Sequence, residues 1–144
     1  MSYVADAPKK DIPVPYVDTV MDTIIGPNRV IELCITPKRN VNRLEVFVNP
    51  VEFSKAKVNR IELSSHFLEN RSSKLVTHYI SNNDFTELQL EFPKDSVLEL
   101  TLYEASNDLL NHPDFSIPKR PKNSIPTPFV LNDAILTIKT LRFE

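Results

Sequence analysis

The chain has 144 residues, 41% hydrophobic and 25% charged, and carries a net charge of −2. That length suits one core and is short for two ordinary domains, and the composition argues against wholesale disorder. A single glycine (Gly26), a single cysteine (Cys34) and twelve prolines weigh against phosphate-cradling loops, tight primed hairpins and strained nucleophile turns, and they exclude a disulfide framework or a multi-cysteine zinc site.

Residues 1–16, with Pro8, Pro13 and Pro15, are expected to be an extended, partly mobile segment ahead of one β-sandwich domain over 17–144. The opening MSYVADAPKKDIPVP has no apolar leader region, and no run approaches the roughly 20 residues of a membrane span. A cytoplasmic or nuclear location is therefore expected, in which the sequon Asn70-Arg71-Ser72 would stay idle. In 18–27, DTVMDTIIGP, the residues Val20, Met21 and Ile24 continue the spacing begun by Val17, one helical face. Asp18 suits the amino-terminal cap and Gly26-Pro27 the stop, so a short N-terminal helix is expected.

From residue 28 onward the pattern is β. Residues 30–35 place Ile31, Leu33 and Ile35 on one face, and 43–48 place Leu44, Val46 and Val48 inward. Residues 58–67 read as one long strand with Ile61, Leu63, Ser65 and Phe67 aligned, and 74–80 as another. Two further runs alternate strictly, Leu88, Leu90 and Phe92 and then Leu98, Leu100 and Leu102, around the break Pro93-Lys94-Asp95-Ser96. They are expected to pair as a hairpin with Leu90 opposite Leu98 and Leu88 opposite Leu100; the alternative is that they lie in different sheets. Residues 129–143 divide into a short strand and a longer one around Asn132-Asp133.

Seven to eight strands at this spacing, without crossover helices, predict an all-β antiparallel sandwich, with a closed barrel as competitor. Residues 111–128 hold five prolines and are expected to form a long connection crossing between sheets. A sandwich with a LELTLYE-type strand resembles C2-type and galactose-binding-type modules in fold alone.

No catalytic, cofactor or metal set emerges. His66, His78 and His112 lack a short metal-ligand spacing, and Glu87, Glu91 and Glu99 alternate with leucines as a solvated sheet face. Asp84, Asp95, Glu104, Asp108 and Asp114, near strand ends, are scattered singly rather than clustered as calcium loops are. Residues 36–60 contain Lys38, Arg39, Arg43, Lys55, Lys57 and Arg60 against Glu45 and Glu52, whereas 84–114 hold eight acids against Lys94. This polarity singles out Lys38, Arg39 and Arg43, with Lys119, Arg120 and Lys122 of the proline-rich segment, as candidate partner-binding residues. Thr36-Pro37-Lys38-Arg39 fits a proline-directed kinase site, making Thr36 a candidate for phosphorylation.

The expected function is non-enzymatic: a protein–protein interaction module or a small structural subunit of an intracellular complex, needing no cofactor. The alternatives are a nucleic-acid-binding module using 38–60, where Phe47 and Phe53 interleave with the bases, and a C2-like peripheral membrane domain.

Overall fold

Alternation of apolar and polar residues sends every second side chain to one face of a strand, and here those rows meet in a shared core. The computed structural model describes residues 6, 9–118, 121–125 and 133–144. Within them lie β1 (Tyr16–Ile25), β2 (Asn28–Thr36), β3 (Arg43–Val48), β4 (Lys55–Val58), β5 (Ile61–Glu62), α1 (Ser65–Asn70), β6 (Lys74–Tyr79), β7 (Thr86–Pro93), β8 (Leu98–Ser106) and β9 (Ile135–Phe143). The strands form a five-stranded antiparallel sheet, order β1-β2-β7-β4-β5, and a four-stranded antiparallel sheet, order β6-β3-β8-β9.

Register explains the core. Ile31 of β2, Leu90 of β7 and Ala56 of β4 lie side by side in the first sheet, as do Leu33, Leu88 and Val58. In the second sheet Val48, Leu100 and Leu141 form one row. Most of these residues are fully buried, and both sheets contribute to the same hydrophobic cluster. The inward positions expected for β2, β3, β7 and β8 are those observed.

The N-terminal helix is corrected: residues 16–25 are strand β1. Its register to β2 shifts between Thr19 and Met21, with Val17 and Thr19 beside Ile35 and Leu33 before the bulge and Asp22 beside Ile31 after it. One extra residue changes the phase of the alternation, which leaves apolar positions at a spacing resembling a helical face. Seven of the ten β1 residues are β-branched or tyrosine, which favours the strand. Gly26-Pro27 is the turn itself, because Ile25 pairs with Asn28 and Gly26 sits at φ +60. Glycine at positive φ followed by proline is the chemistry of a two-residue hairpin turn. A bidentate Asp22–Arg29 pair, at 2.8 and 2.7 Å, then clamps the hairpin. Its hydrogen bonds hold the Asp22 carboxyl below its usual range.

The strand expected over 58–67 is also corrected. Asn59 and Arg60, both at positive φ, turn the chain between β4 and β5; asparagine and arginine make here the tight turn that scarce glycine argued against. Ser64 then caps α1 by accepting from the Phe67 amide at 3.1 Å. Ile61 is exposed as a result. These two changes bring the described strands to nine, against the seven or eight expected.

The expected β7–β8 hairpin does not form. β7 pairs with β2 and β4, and β8 pairs with β3 and β9, which is the alternative arrangement. Alternation says which side chains face the core and leaves the hydrogen-bonding neighbour open. With Leu88, Leu90 and Phe92 on one sheet and Leu98, Leu100 and Leu102 on the other, both rows are completely buried. The turn between them is pinned from Lys94 N–H to the Pro27 carbonyl at 3.0 Å and by Asn49, whose side chain donates to the Val97 carbonyl at 2.8 Å.

The connection after β8 does not join one sheet to the other as expected. β8 and β9 are neighbours in the same sheet, Ser106 opposite Ile135 and Leu98 opposite Phe143, so the chain re-enters the sheet it left. Proline content shows that a stretch stays out of a ladder but not where it leads. The short strand expected over 129–131 lies outside the described residues.

Candidate functional site

Among the described residues, the predicted bases are spread over both sheets and the loops between them. Lys38 stands over the Tyr16 ring at 5.4 Å, Arg43 faces Glu45 at 3.7 Å, and Arg60 faces Glu87 at 3.5 Å. Lys55 and Lys57 lie on β4 in the five-stranded sheet, whereas Arg43 begins β3 in the other. Lys122 is exposed; Lys119 and Arg120 lie outside the described residues. Thr36 ends β2, exposed, opposite Tyr16.

Arg39 departs furthest from its expected role as a free surface base. It folds inward from the β2–β3 connection onto the end of β8, where its guanidinium donates to the Ser106 hydroxyl and to the carbonyls of Glu104 and Ile135, the latter two at 3.1 and 3.3 Å. Its Nε lies 3.6 Å from Oε1 of Glu104, and both atoms are buried without a hydrogen-bond partner of their own. Glu104 follows Leu98, Leu100 and Leu102 on the inward face of β8, and it is 1% exposed. Burial pushes its carboxyl up to about 7 against the opposing pull of Arg39. Ser106 passes the network on, donating to Asp108 at 2.6 Å. This end of the core is polar in general, since His78 and the buried Thr86 share a 2.7 Å hydrogen bond from one sheet to the other.

At the opposite end of β8 a groove of about 830 Å³ opens between the β3–β4 connection, the residues after α1 and the ends of β2 and β7. Val51, Phe53 and Leu68 supply apolar wall, and Glu52 and Glu69 are exposed along it. Arg71, the residue that ends α1, is half-buried there. Its Nη1 donates to the Ser72 carbonyl at 3.0 Å, and its Nη2 donates to the carbonyls of Asn49 and Val51 at 3.2 and 3.0 Å. The guanidinium also stands 5.2 Å from the Phe53 ring centre. Among the described residues no carboxylate comes within 4.0 Å of it, and desolvation lowers its pKa. Three backbone acceptors therefore fix the orientation of a cation that has no counter-ion among the described residues.

A scan against protein-family models finds no match, and searches of curated proteins and of solved structures find none either.

A third surface is the outward face of the four-stranded sheet. Tyr103 of β8 sits opposite Ile138 of β9, and Ala105 opposite Leu136. Phe47 meets Tyr103 edge to face with ring centres 5.1 Å apart. Ile138 and Leu136 are 56% and 47% exposed, at positions where alternation ordinarily supplies polar side chains. Lys74 and Arg43 flank the patch and share Glu45 between them. Phe47, expected as a stacking residue, lies here, whereas Phe53 belongs to the core.

No three His, Cys, Asp or Glu side chains among the described residues are placed to hold a metal ion. No described helix is long and apolar enough to cross a membrane. Sequence reasoning missed Glu104 as a core residue, although its place in the 98–100–102–104 series was the available signal. Arg71 offered no signal beyond an incidental sequon.

Proposed function

We propose that the chain is a non-enzymatic β-sandwich interaction module that docks on a protein partner within a larger assembly. The two sheets share one core, which supports the sandwich reading. The observation that carries the function is the outward patch of Phe47, Tyr103, Ile138 and Leu136. Apolar side chains at the centre with Lys74, Arg43 and Glu45 at the margin match the layout of a protein interface, a dry middle with a polar rim. A nucleic-acid surface fits this patch less well. Glu45 sits between the two bases and would repel phosphate, and the Phe47 and Tyr103 rings contact each other edge to face instead of offering free stacking faces.

Ile138→Glu tests the reading, because the site is exposed and the charge should leave folding intact. The wild-type chain is expected to retain a stoichiometric partner through purification from its native extract, and the variant to lose that partner with an unchanged melting temperature. Equal recovery by the two proteins, or oligonucleotide binding that weakens steeply with salt and depends on Ile138 in the same way, sinks it.

A further inference from the structure

We infer that the groove beside Arg71 is a binding site for an organic monocarboxylate with an apolar body, a ligand class that the outward sheet patch does not involve. A guanidinium has five N–H donors, and three protein carbonyls take one each. The Nε–H and one Nη1–H have no protein acceptor among the described residues. Unlike Arg39 Nε, the Arg71 Nε is not shut away from solvent, and Arg71 lines the groove, so this free donor is open to a ligand there. A half-buried cation of this kind is completed by an anion, since a charge-assisted hydrogen bond to a carboxylate is stronger than the water contacts that it replaces.

The walls narrow the class. Val51, Phe53 and Leu68 give the ligand's carbon skeleton a surface on which to lose water, and the volume, about 830 Å³, lies within the span of small-molecule sites. Glu52 and Glu69 line the same groove. With one guanidinium against two carboxylates, a phosphate dianion is repelled where a single negative charge placed on Arg71 is tolerated. Such a carboxylate can belong to a free acid or to the C-terminus of a peptide, and the groove reads the same chemistry in both.

The test is an amide-resolved NMR titration of the full chain with hexanoate, hexanamide, inorganic phosphate, and the tripeptide Ala-Val-Leu as free acid and as amide. Hexanoate is expected to give saturable shifts at Val51, Phe53, Leu68 and Arg71, at least about tenfold tighter than hexanamide. The tripeptide acid should likewise exceed its amide, and whichever acid binds more tightly identifies the source. Arg71→Gln should abolish the preference of acid over amide. Because Arg71 also ties two loops together, Glu69→Gln provides a variant that leaves those ties in place; removing the rim charge should tighten hexanoate roughly threefold and leave hexanamide unchanged. Equal binding of acid and amide, phosphate binding more tightly than hexanoate, no saturable shift, or a Glu69→Gln variant with unaltered hexanoate affinity each overturns the assignment.

Discussion

Glu104 should impose a pH dependence on stability that one substitution removes. The carboxyl lies on the inward face of β8, with Arg39 above it, Thr137 beside it on β9, Leu44 and then His78 along the same row, and Ser106 and Asp108 beyond. Burial raises it from 4.5 to about 7, so the folded protein holds the proton more tightly than the unfolded chain does. The corresponding stability is fully present below pH 4.5 and is lost as pH rises through about 7. A displacement of that size amounts to about 3 kcal/mol, with a limiting slope of about 1.4 kcal/mol per pH unit inside the window. Urea unfolding of wild type and Glu104→Gln at closely spaced pH values from 4 to 8.5 gives the difference curve directly. Subtracting one curve from the other isolates what the substitution changes. Wild type is expected to lose about 3 kcal/mol relative to the variant across the window. Parallel curves would refute the placement of Glu104 as a carboxyl whose ionisation the fold opposes.

Three further outcomes follow from the packing. Leu100→Ala empties a completely buried position and should cost about 2–5 kcal/mol in urea unfolding. Gly26→Ala meets no atom within 4 Å of the new Cβ yet keeps φ at +60, so the loss should be only about 1 kcal/mol, and Gly26→Asn should recover part of it. Lys139 points inward from the edge strand β9 and donates to the Pro15 carbonyl at 3.1 Å. An inward lysine on an edge guards against strand-to-strand association, so Lys139→Val should show concentration-dependent self-association by light scattering, and a strictly monomeric variant would count against that role.

The inward rows of β2, β3, β7 and β8 were legible because their alternation is uninterrupted. Where one residue broke the phase, at Val20, a strand read as a helix; where Asn59, Arg60 and Ser64 supplied turn and cap chemistry without glycine, a hairpin and a helix read as one strand. Pairing was harder still, since the Leu88 and Leu98 rows satisfy the same pattern whether they share a sheet or face each other across the core. The candidate sites were barely legible. Lys38, Arg39 and Arg43 looked alike as bases in a basic stretch, and only the fold distinguishes Arg39, drawn under β8 by a buried glutamate, from two residues held near the surface. Arg71 differs from them because of the three carbonyls around it, which come from both sides of the groove and which no local pattern records.

The turn between β7 and β8 also bears on how the molecule assembles. These two strands are consecutive in the chain, yet each is flanked on both sides within its own sheet: β7 by β2 and β4, β8 by β3 and β9. Among the described residues, only β1–β2 and β4–β5 join neighbouring strands through a two-residue turn. Neither sheet can close around its central strand before the chain has passed from one to the other, and the second also waits for β9. Loop closure over such separations comes before most of the burial that rewards it. Folding should therefore be slow for the chain's size and should complete both sheets in one cooperative step, with the β1–β2 hairpin as the piece able to form ahead of the rest.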